Sequence, residues 1–131
     1  MPLWSKYEAI GAFYYRLYNN ITYRNQRDLK SIINYWTTRT ASGNNFSLKN
    51  SSDIDFTNIS VIIFKYSYTG SNRPEANCSI GAKKVIMATR YGTHSFECGI
   101  DVRDITGVQL VNIYNVCQEN DSITLTDVLI M

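Results

Sequence analysis

The sequence predicts an α+β domain: two N-terminal helices packed on one face of a five- to six-stranded, mainly antiparallel sheet that ends in a meander. Three observations carry this. Apolar residues recur at helical spacing near the N-terminus. The period changes to two after residue 60. Short polar turns separate the alternating runs that follow. The 131 residues fit a single domain, 1–131. A chain of this length buries about two-thirds of its unfolded surface without needing disulfides or metals.

The first helix has start and stop signals. Ser5-Lys6-Tyr7-Glu8 has the form of a capping box. Tyr7, Ile10, Tyr14, Leu17, Tyr18 and Ile21 then fall on one stripe, and Asn19-Asn20 supplies an end. For the second helix, Asn25 with Asp28 is the cap, and Leu29, Ile32, Ile33 and Trp36 form the apolar stripe. Thr37-Thr38 and Ser42-Gly43-Asn44-Asn45 break it.

From Ser60 to Tyr68 the pattern is that of a strand. Ile62, Phe64, Tyr66 and Tyr68 share one face, and Val61, Ile63, Lys65 and Ser67 share the other. Both faces start apolar, so this strand is expected to be buried on both sides at its beginning. Thr69-Gly70-Ser71-Asn72 is a turn. Over residues 77–91 a strand is favoured over a short helix, because Gly81 and Gly92 bracket a run of strand length. Thr93 to Arg103 alternates most clearly, with His94, Phe96, Cys98, Ile100 and Val102 on the dry face. Turns at Asp104–Gly107 and Gln118–Asp121 then lead into Val108–Cys117 and Ser122–Met131, read as hairpin partners.

Function is less constrained. No run of about 18 apolar residues exists, so no membrane-spanning helix is expected. The first 15 residues have no apolar signal-peptide core, and an intracellular protein with free thiols at Cys78, Cys98 and Cys117 is the simplest expectation. Six Asn-x-Ser/Thr sequons, at Asn20, Asn45, Asn50, Asn58, Asn77 and Asn120, exceed the two or so that composition predicts. They keep a virion-surface or extracellular alternative in view.

The candidate chemistries are weak on geometric grounds. His94 and Cys98 lie four residues apart on one strand face, so about 13 Å separates their backbones. That span defeats a catalytic Cys–His pair, and it counts equally against a zinc site built from Cys78, His94, Cys98 and Cys117. Asp53/Asp55 and Asp101/Asp104 sit in or beside turns, where local backbone capping explains them. No Gly-rich phosphate loop or dinucleotide fingerprint occurs. No catalytic residue, metal or cofactor is therefore assigned.

Charge and apolarity point elsewhere. Residues 1–49 hold seven basic and two acidic side chains, whereas residues 50–131 hold six basic and nine acidic. Arg16, Tyr23, Arg24, Arg27 and Lys30 are the candidate residues for single-stranded nucleic acid (RNA), by phosphate neutralisation and base stacking. The apolar end Val128-Leu129-Ile130-Met131 is the candidate oligomer interface, paired in the sheet or covered by another subunit. With ten Tyr, five Phe, two Trp and few charges, the leading expectation is a non-enzymatic interaction or assembly protein of viral or mobile-element origin. Its partner would be a second copy of itself or another protein. The alternatives are nucleic-acid binding and a small enzyme with a pocket between helices and sheet.

Overall fold

Buried and exposed residues alternate through most of the chain, and the result is two sheets rather than a helical layer on one. A computed structural model describes residues 29–116 and 120–131. Nine strands form there: β1 (Lys30–Ser31), β2 (Thr40–Ser42), β3 (Ser47–Lys49), β4 (Val61–Gly70), β5 (Ala76–Ile80), β6 (Lys83–Met87), β7 (Gly92–Asp101), β8 (Val111–Tyr114) and β9 (Ser122–Ile130). One sheet has the order β1-β9-β4-β7, with β2 also on β9. The other has the order β3-β8-β5-β6. All strand pairs are antiparallel.

This corrects the α+β expectation. The predicted first helix lies outside the described residues. The second is absent over 29–36: Lys30–Ser31 pairs with β9, and only Ile33–Tyr35 makes a single 3-10 turn. The spacing of Ile32 and Trp36 arises differently from a helical stripe. A short strand, one tight turn and an extended Trp36 carry both side chains into the core, where they are 1% and 0% exposed. Trp36 meets Phe64 edge-on, with ring centroids 6.3 Å apart.

The C-terminal meander is also corrected. β7, β8 and β9 alternate between the two sheets instead of pairing with one another. The chain changes sheet at every connection except β1–β2 and β5–β6. The β5–β6 hairpin turns at Gly81, whose φ of +58° lies in the left-handed region. A side chain there would also collide with Gln109.

The inner faces of the sheets meet in one core. β4 supplies Ile62, Phe64, Tyr66 and Tyr68, and the facing sheet supplies Leu48, Cys78, Ile80, Val111 and Ile113. Val61 and Ile63 are buried as well, so the start of β4 is covered on both faces. β9 solves a parity problem. Its register against β4 shifts between Lys65 and Tyr66, which leaves Thr126 as an extra residue. Ile123 and Leu125 before the bulge, and Val128 after it, are thereby all buried in the core.

Candidate functional site

The polar side chains that could carry chemistry each have a local structural task. The His94 ring lies 3.0 Å from the Tyr91 carbonyl through Nε2. Cys98, on the same inner face of β7, has its thiol pushed up by burial. Burial, and then the neighbouring Cys98, push the Cys78 thiol up to about 12. Both are therefore protonated thiols at neutral pH, the inert form. Among the described residues, no group of three His, Cys, Asp or Glu side chains converges as metal ligands do.

The carboxylates behave likewise. Asp55 accepts from the amide and hydroxyl of Thr57, closing an Asx turn that holds its carboxyl below the usual range. Asp101 accepts two bonds from the Arg103 guanidinium and one from its amide. Asp104 takes the Lys83 ammonium at 3.0 Å, and the same ammonium donates to the Asp101 carbonyl at 2.7 Å. Together these four side chains line an open, charge-balanced cleft where the ends of β6 and β7 meet.

One polar cluster is buried. Asp121 is 0% exposed and accepts from the Tyr68 hydroxyl at 2.6 Å and the Ser71 amide at 2.8 Å. Burial, followed by this carboxylate, raises the Tyr68 phenol well above its ordinary value. Asn115, 2% exposed, accepts from the Phe46 amide and donates to the Gly43 carbonyl. Because both polar residues are satisfied by neighbouring backbone, the cluster joins loops at one end of the sandwich.

Exposed apolar side chains show a clearer pattern. Residues 108–116 run past β5 with Val111 and Ile113 turned inward, both 0% exposed. Within β8 alternation places Asn112 and Tyr114 on the outer face, and Val108, Leu110 and Val116 are exposed beyond its ends. Val108 is 57% exposed, Leu110 52% and Val116 48%. Across the sheet, Tyr114 pairs with Asn77, and Asn77 with Ile86, which is 77% exposed. Lys84 and Lys49 flank the centre of this column, on the row through Ser79 and Asn112. The sequence gives little warning of it, because both faces of 108–116 are largely apolar.

The predicted site residues are dispersed. Arg16, Tyr23, Arg24 and Arg27 lie outside the described residues, so only Lys30 of the basic group can be placed. It is exposed on β1, opposite Ile130. Val128 is in the core, and Ile130 packs against it. Leu129 lies between Ser31 and Ile63, and Met131 exchanges backbone hydrogen bonds with Val61. The apolar end is thus a paired, inner strand of its sheet. Of the sequons, Asn45, Asn58 and Asn120 are exposed, while the Asn50 side chain is engaged by the Ser52 carbonyl and the Val111 amide. Asn20 lies outside the described residues. Among the described residues no helix is long and apolar enough to cross a membrane.

Comparison of the chain with protein-family models, curated proteins and solved structures returns no match.

Proposed function

We propose that this chain is a non-enzymatic interaction or assembly protein that works as a homo-oligomer. The single observation that supports this most is the apolar column on the outer face of the β8 sheet. Scattered exposed apolar residues are ordinary, but several gathered along one strand and its extensions are a feature of binding surfaces. Four of the five large exposed apolar side chains among the described residues belong to this column.

Sedimentation equilibrium across the micromolar range tests this. The wild type should exceed its 15.0 kDa monomer mass. The Ile86→Asp/Leu110→Asp double variant should associate at least about tenfold more weakly. Its far-ultraviolet strand signal should be unchanged, because in the single chain Ile86 is 77% and Leu110 52% exposed. A wild type that stays monomeric throughout would overturn the reading. Salt-sensitive binding of a labelled single-stranded RNA by that monomer would transfer support to nucleic-acid binding.

A further inference from the structure

The fold treats its Asn-x-Ser triplets differently. Asn77 sits in β5, paired on one side with β6 and on the other with β8. Its nitrogen donates to the Glu75 carboxylate at 3.3 Å, and the next residue, Cys78, is 0% exposed. Asn50 uses both ends of its amide. The nitrogen donates to the Ser52 carbonyl and the oxygen accepts from the Val111 amide, each at 2.8 Å. Asn45 and Asn120 are exposed, but the rest of each triplet is committed. The Ser47 hydroxyl donates to Asn112 at 2.6 Å, and Asp121 is the buried carboxylate.

Asn58 differs. The Ile59 amide donates to the Phe56 carbonyl at 3.0 Å and closes a tight turn with Thr57 and Asn58 at its corner. Phe56, which is 0% exposed, and Ile59, which packs against the core, anchor the turn. The Thr57 hydroxyl donates to Asp55 at 2.7 Å and accepts from the Gly107 amide at 3.0 Å. Ser60 is held through its backbone, to Met131 at 2.7 Å and to Val102 at 3.0 Å. The Asn58 amide and the Ser60 hydroxyl take no part in this. Both residues are exposed, and neither side chain makes a hydrogen bond among the described residues. A firmly held turn therefore presents an amide, and a hydroxyl two residues on, that the fold does not use.

We propose that Asn58 is the acceptor of an N-linked oligosaccharide. A second, independent observation is the number of such triplets, six where composition predicts about two. The inference does not rest on the assembly reading. The transfer balances with one co-reactant, an oligosaccharide carried on a polyprenyl pyrophosphate. The Asn58 Nδ2 attacks C1 of the first sugar. An N–C bond forms, the C1–O bond to the pyrophosphate breaks, one amide proton is lost and the polyprenyl pyrophosphate leaves. No oxidant or reductant takes part. Transfer precedes folding, so the finished fold has only to tolerate the sugar. The thiols do not demand a reducing compartment, since burial keeps Cys78 and Cys98 in the protonated, inert form.

The test is expression of the full chain behind a cleavable secretion leader in eukaryotic cells. Peptide-N-glycosidase treatment of total cell material and medium follows, so that retention inside the cell does not decide the result. The enzyme converts each glycosylated Asn to Asp, which a peptide mass map locates. Asn58 should carry the mark, and Asn50 and Asn77 should not. Asn58→Gln and Ser60→Ala should each remove one oligosaccharide from the mass of the chain. Ser60→Thr keeps the hydroxyl and should retain it. An unmarked Asn58 in the wild type overturns the proposal. So does a mass that neither Asn58→Gln nor Ser60→Ala changes, or marking of Asn50 or Asn77 as complete as that of Asn58.

Discussion

β4 and β7 are both ten residues long and pair residue for residue, yet they live in different environments. β4 has neighbours on both sides, β9 and β7, and its inner side chains are sealed. β7 has one neighbour among the described residues, and His94, Phe96 and Cys98 on its inner face are only partly buried, while Ile100 is buried. β7 alternates more clearly in sequence than β4, whose first four residues are all apolar. Position within the sheet, rather than intrinsic strand preference, therefore decides how much each residue contributes to stability.

The strongest test of this contrast is truncation of two aromatic residues. Phe64→Ala should cost about 3–5 kcal/mol, as expected for a fully enclosed ring. Phe96→Ala removes a partly buried ring stacked on Tyr66 at 5.5 Å and set edge-on to His94 at 6.3 Å. It should cost about half as much. Equal losses in urea denaturation would erase the distinction.

The polar ends of the two strands extend the comparison. At the end of β4, Tyr68 bonds to the fully buried Asp121. Asp121→Ala leaves the Ser71 amide without its acceptor and should cost about 1–3 kcal/mol in thermal melts. At the end of β7, Asp101→Ala removes an exposed pair with Arg103 and should change stability by less than about 0.5 kcal/mol.

The smallest effect is a pH dependence. The Arg103 side chain, then its amide, hold the Asp101 carboxyl down at about 2, against an ordinary value of 3.8. Because the folded pKa is the lower one, the contribution is complete above about pH 4 and disappears as pH falls toward 2. Exposure limits it to a few tenths of a kcal/mol. Arg103→Ala should flatten that part of the acid stability profile, and an unchanged slope would show that the pair contributes nothing.

The same comparison explains what could be read from the sequence. The two-sided burial of β4 at Val61–Phe64 was legible, because both of its faces begin apolar. A strand between Gly81 and Gly92 was legible from those glycines and is β6, whereas β5 and the hairpin that turns at Gly81 were not. The helix expected at 29–36 failed because Leu29, Ile32, Ile33 and Trp36 keep helical spacing while the backbone reaches the core by another path. The assignment of strands to sheets was not legible at all. A period of two is identical in either sheet, so nothing in Val108–Cys117 announces that it leaves the sheet of β7. For the same reason the place of β7 at the end of the described strand order, and the exposed apolar residues at Val108–Val116, emerge only once strand order is known.

Residue-resolved hydrogen exchange along β4 and β7 tests most directly the claim that position within the sheet decides what a strand contributes. The amides of β4, which lies between β9 and β7, should exchange only on global unfolding and more slowly than those of β7. Exchange along β4 as fast as along β7, or faster, would contradict it.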